Sequence, residues 1–142
     1  MARGGIMLSG LSRWSDASLL LMRLVVGGFL IFGVWDNITS AERMAEFAGF
    51  LAKWKFPFPE LMAPLSVWAQ FACGAAFIAG ALTRWAGLLC AIHFIIAILM
   101  VDRFAGIRGS FPAAALVVIG LHLATAGPGK IAVDAMFGGR RR

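Results

Sequence analysis

Long apolar runs alternate with short polar intervals along this chain. Residues 17–35, 61–82, 85–101 and 111–126 are almost wholly apolar, and the stretches between them carry most of the charge. A helix rises 1.5 Å per residue, so each run is of the length needed to cross a hydrocarbon layer about 30 Å thick. Lipid offers backbone N–H and C=O groups no partners, so such runs must fold as helices, which satisfy them internally. The pattern predicts an all-α protein: a four-helix transmembrane bundle forming a single membrane domain over residues 1–142.

The longest polar interval has a pattern of its own. Met44, Phe47, Ala48, Leu51 and Trp54 recur at spacings of three and four, while Glu42, Arg43, Glu46 and Lys53 fall mostly off that face. This predicts an interfacial amphipathic helix over about residues 41–55, its acids first and its bases last, as the helix dipole favours. Such a helix covers the mouth of the bundle or rests on lipid; the sharper alternative is a lid over a ligand. After the fourth run, residues 130–142 form a short surface segment, in which Ile131 to Phe137 returns to the cytoplasmic surface and Asp134 is exposed or paired to a base.

Local chemistry punctuates the runs. Ser15 and Asp16 can cap the first helix, and Ser110 followed by Pro112 supplies a cap and a first-turn proline for the fourth, which Gly127-Pro128-Gly129 then stops. The second helix opens after Phe56-Pro57-Phe58-Pro59, and Pro64 is tolerable only near its first turn. A tight turn at Thr83-Arg84 joins the second and third. Small residues that permit close helix approach are Ala72, Ala76 and Gly80 on the second helix, Gly120 and Ala124 on the fourth, and Gly27, Gly28 and Gly33 on the first.

Composition agrees: 61% of residues are hydrophobic, 14% are charged, and the mean hydropathy is +0.85, outside the range of a water-soluble domain. The net charge of +6 is spread over short loops, which points to anionic lipid head groups and away from nucleic acid. With four crossings, Arg3, Arg13, Arg84, Lys130, Arg140, Arg141 and Arg142 share one side, against Arg43, Lys53, Lys55, Arg103 and Arg108. The bias places both termini in the cytoplasm, with Arg84 and Asp36 marking opposite sides of the membrane. The first run also has the outline of a secretory signal, since Arg3 and Arg13 precede it and Thr39-Ser40-Ala41 imitates a cleavage site. Arg23 inside it, its length, and Asp36 and Asn37 after it argue for a retained helix. Cys73 and Cys90 fall within spans and do not report the redox compartment.

Polar residues inside the spans carry the functional information, because an uncompensated arginine in mid-span costs about 3 kcal/mol on insertion scales. Counting along the helices places Gln70 and His93 together near the midplane, and Arg23 and His122 together in the cytoplasmic third. Arg23 either snorkels to lipid phosphates or turns inward onto a carboxylate, helix-end carbonyls, or an anionic or quinone-like head group. The two histidines differ in height by about a turn, which disfavours bis-histidine haem. Only Cys90 and His93 have a close ligand spacing, so no metal site is assigned. No phosphate loop, nucleophile elbow, carboxylate pair or redox Cys-x-x-Cys is present, which points away from a self-contained enzyme and leaves no catalytic residue to name.

Four landmarks resemble the DoxX family of small prokaryotic membrane proteins. They are Arg23-Leu-Val-Val-Gly-Gly-Phe-Leu-Ile-Phe-Gly33, Phe47-Ala-Gly-Phe-Leu-Ala52 leading to Phe56-Pro-Phe-Pro-Glu-Leu61, Gly80-Ala-Leu-Thr-Arg-Trp-Ala-Gly87, and Gly127-Pro-Gly-Lys-Ile-Ala-Val-Asp-Ala135. The resemblance implies a four-helix protein of the cytoplasmic membrane in a redox setting. The related DoxD proteins belong to a thiosulfate:quinone oxidoreductase, and some DoxX proteins associate with enzymes of oxidative-stress and thiol defence. The family often carries a Glu in the second helix where this chain has Gln70, which weakens a proton-coupled role. The expectation is an accessory or anchor subunit with membrane-associated redox partners and a quinone or lipid ligand among Arg23, Gln70, His93 and His122. The alternatives are a quinone-reactive oxidoreductase subunit and a small-solute transporter, the latter lacking an evident inverted repeat.

Overall fold

In a computed structural model that describes residues 8–138, the helices are α1 (Ser15–Thr39), α2 (Ala41–Lys53), α3 (Pro59–Ala79), α4 (Thr83–Met100), α5 (Gly106–Ala126) and α6 (Val133–Gly138). Short 3-10 turns precede α1 at Ser9–Trp14 and α5 at Asp102–Ala105. No strand occurs among the described residues. The helices α1, α3, α4 and α5 are each long and apolar enough to cross a membrane, and their outward side chains, such as Phe29, Phe32, Trp68, Leu99 and Val118, are apolar and exposed. The chain is an integral membrane protein whose outer surface suits lipid. Arg3, Arg140, Arg141 and Arg142, which contribute to the charge bias, lie outside the described residues.

Two antiparallel pairs build the bundle. α1 packs mainly on α3, with Gly27 against Gly74, and α4 mainly on α5, with Gly87 against Gly120. The core between them holds Leu30, Cys73, Phe77, Cys90, Leu116 and Leu123. The pairing through Gly27 and Gly74 replaces the expected Ala72, Ala76, Gly80 stripe: Ala72 is exposed, and Gly74, on the face turned to α1, makes the close approach. One face of the bundle carries the start of α1, the α3–α4 turn and α6; α2 and the α4–α5 turn lie at the opposite, far face.

Several boundaries differ from the sequence expectation. The α3–α4 turn is Gly80 to Leu82, with Gly80 (φ 70°) and Leu82 (φ 50°) both left-handed, so Thr83 and Arg84 open α4 and do not form the turn. Ser15 and Asp16 do not cap α1; Ser15 is its first residue, and the Asp16 carboxylate accepts from the Lys130 backbone N–H at 3.0 Å. Ser110 and Pro112 lie inside α5, which begins at Gly106, because Ser110 Oγ bonds back to Gly106 O at 2.9 Å and fits the helix. Pro59 takes the first turn of α3, and Pro64 sits further inside. Ser40, in extended conformation, caps α2 by accepting from Arg43 N at 3.3 Å.

Candidate functional site

Beneath α2, at the far face, a cavity of about 560 Å³ opens between α3 and α4. Helical spacing builds its walls: Ser66, Ala69 and Gln70 recur on one side of α3, and Leu89, His93 and Ala97 on the facing side of α4. The amphipathic face of α2 supplies the roof, with Phe47, Phe50 and Leu51 turned into the cavity and Leu51 buried. Phe56 and Phe94 complete an aromatic lining. Asp102 alone among the lining residues bears a formal charge, and no Lys or Arg reaches the walls.

The polar groups converge at the inner end. His93 Nε2 stands 3.5 Å from Ser66 Oγ, and the His93 ring meets Phe94 edge-on at 4.9 Å. Gln70 Nε2 donates to Leu30 O of α1 at 3.2 Å, across a space that Gly33 leaves open. The cavity therefore offers an apolar body with a hydroxyl–imidazole pair and an amide at its end, the form of a small-molecule site. Such a lining can bind and orient an uncharged amphiphile; among the described residues no carboxylate is hydrogen-bonded to the His93 ring of the Ser66–His93 pair.

A second polar cluster lies at the opposite end of the bundle. Arg23 is fully buried, its Nη2 donating to the Ile131 carbonyl, while Nε and Nη1 have no partner among the described residues. Gly80 has no side chain to collide with this guanidinium or with Ala132. Asp134 is half-buried and, among the described residues, makes no salt bridge to a base: Oδ1 accepts from Leu82 N at 2.7 Å and Oδ2 from Thr83 N at 2.9 Å, placing a carboxylate on the N-terminus of α4. Arg84 donates to Ala124 O at 3.1 Å and to Thr125 O, satisfying the C-terminal carbonyls of α5. With the Asp16–Lys130 bond, these contacts form a clasp that ties the segment after α5 to both helix pairs.

Thus Gln70 and His93 share the far-face cavity, whereas Arg23 belongs to the clasp. His122 meets neither. It is exposed on α5, because α5 faces α4 through Ala113, Leu116, Gly120 and Leu123, and His122 lies off that face. The expected Arg23–His122 layer is not formed. Asp36 is exposed, and its carbonyl accepts from Ser40 N at the corner into α2. Cys90 and His93 diverge as well: Cys90 is buried toward Leu116 O of α5, and His93 faces α3. Among the described residues no group of three or more His, Cys, Asp or Glu gathers as a metal site would require. Ser66 escaped the sequence reading, although its place four residues before Gln70 puts both on one helix face. The Ile131 carbonyl had no signal in the side-chain pattern.

A family model described as DoxX matches residues 18–103, more than half of the chain. No curated protein and no solved structure matches it.

Proposed function

The chain belongs to the DoxX family, and on that premise we propose that it is a non-catalytic accessory or anchor subunit of a redox-associated membrane assembly, holding a neutral amphiphile beneath α2. The observation that carries this reading is the apolar cavity ending on Ser66, Gln70 and His93 without a catalytic constellation. An anionic head group would meet no basic side chain there and would face Asp102 near the mouth. A quinone-like ring or a lipid with an uncharged head fits the lining better.

The test is mass spectrometry of the intact complex extracted in mild detergent. We expect a recurring protein partner and a bound neutral amphiphile, and expect Ala69→Trp, which fills the cavity, to strip the ligand while leaving the partner in place. Repeated purification without any partner overturns the subunit role, and ligand occupancy unaffected by Ala69→Trp overturns the site.

A second reading, a quinone-reactive subunit of an oxidoreductase, is favoured by the His93–Ser66 pair facing the cavity. It rests on His93, Ser66 and Gln70, since Arg23 and His122 are elsewhere. Unchanged quinone reduction by the assembled complex carrying His93→Ala would remove it. Family membership supports residence in the cytoplasmic membrane of a prokaryote, and the charge bias supports an orientation with both termini inside. A cytoplasm-active reporter fused after Arg142 should then be active and a periplasm-active one silent; the reverse pattern inverts the bundle.

A further inference from the structure

The roof of the cavity is built differently from its walls. The walls are continuous transmembrane helices locked in pairs, whereas α2 is a 13-residue helix with Leu51 as its one buried residue. Its polar ties to the rest of the chain cluster at its start: Ser40 caps it, and Asn37 Nδ2 donates to Arg43 O at 3.1 Å. Toward its end the backbone bonds are local, Trp54 to Phe50, Lys55 to Ala52 and Phe56 to Leu51. The contact that reaches across the mouth is aromatic. Trp54 stacks on Phe104, in the turn before α5, with ring centroids 5.7 Å apart and planes inclined by 23°.

Both ends of α2 are joints. Ser40 is extended (φ −129°, ψ 117°) between two helices. After α2, Lys55 (φ 64°) and Phe58 (φ 48°) hold left-handed conformations that side-chain-bearing residues rarely adopt. These residues leave the left-handed region readily once the contacts holding them are lost. The helix is therefore pinned at its start, rested on α3 through the buried Leu51, clipped across the mouth by one stack, and jointed on both sides, with an apolar void under it.

We propose that α2 is a hinged lid over the cavity, held shut by the stacking of Trp54 on Phe104. Opening swings the end of α2 away from the α4–α5 turn and exposes the wall of α4 near Ala97 to the far-face interface. The lid gives the cavity an access route that does not require the paired helices to part. Its role in admitting a ligand rests on the reading of the cavity as a binding site.

The test needs no ligand. In lipid nanodiscs, Ala97→Cys reports the cavity to a charged, membrane-impermeant maleimide, and Lys53→Cys on the exposed side of α2 serves as reference. Cys73 and Cys90, both buried, report unfolding if they react. Labelling at position 97 should be slow beside position 53, and Trp54→Leu or Phe104→Leu should each speed it about three- to tenfold, the range a lost aromatic pair implies. The double variant should add nothing to either single one, because both remove one contact. Unaltered labelling in both variants, or labelling of Ala97→Cys already as fast as the reference, overturns the lid.

Should the variants unfold, hydrogen exchange of the unaltered chain decides. Amides of α2 must exchange as a unit, faster than those of α3 and α4 that wall the cavity; exchange at the rate of α3 overturns the proposal. Absence of a co-purified ligand would refute the binding reading while leaving these rates to judge the lid.

Discussion

Asp134→Ala should lower the stability of the folded protein by about 3 kcal/mol, because two charge-assisted bonds and a favourable helix-dipole contact are lost together. The carboxylate is held by Leu82 N and Thr83 N at 2.7 and 2.9 Å, so its removal leaves the first amides of α4 without an acceptor. Asp134→Asn, which keeps one acceptor and loses the charge, should fall between the parent and the alanine variant. Asp16→Ala removes one exposed bond, to Lys130 N, and should cost less than about 1 kcal/mol. Thermal unfolding in detergent micelles measures all three. An Asp134→Ala protein as stable as the parent would show that the carboxylate on α4 contributes nothing.

Gly87→Val should be at least as damaging, on the order of 3 kcal/mol, by forcing α4 and α5 apart. A Cβ at Gly87 would lie 2.5 Å from Gly120 O and 2.8 Å from Ala124 N, and one at Gly120 would lie 2.7 Å from Gly87 O. Those neighbours are backbone atoms and have no rotamer to change. In lipid the helices are joined by van der Waals packing with no hydrophobic drive between them, so separation is not repaid by burial elsewhere. Gly28→Val is the control, since a Cβ there meets nothing within 4 Å. The fraction of monodisperse protein after extraction should collapse for Gly87→Val and stay near the parent for Gly28→Val. Equal behaviour of the two would mean that the close approach is not needed for folding.

Both predictions turn on contacts that no hydropathy pattern contains. The Gly87–Gly120 approach was half legible, since Gly120 and Ala124 stand out as a small-residue pair, but their partner on α4 depends on how the two helices are rotated. The clasp was less legible still: Asp134 reads as a surface acid, and Arg23 bonds a carbonyl 108 residues away. The cavity was visible only in outline. Gln70 and His93 were matched by height, which counting along a helix measures well. His122 was misplaced because height says nothing of azimuth, and α5 turns Gly120 and Leu123 to α4 at the expense of His122. The α5 start was misjudged for a related reason: Arg108, Gly109 and Ser110 resemble a loop in sequence, yet continue the helix from Gly106.

The amino-acid order by itself determined that this is a helical membrane protein with four membrane-capable helices and an amphipathic helix between the first two. The reason is that lipid forces every backbone polar group to find its partner within its own segment, so length and apolarity suffice. Tertiary structure alone decided which faces meet, that Asp134 sits on α4, that Arg23 is fully enclosed, and that α2 roofs a cavity ending at His93 and Ser66. Those outcomes depend on the rotation of each helix about its axis, which is set by the mutual packing of all of them at once.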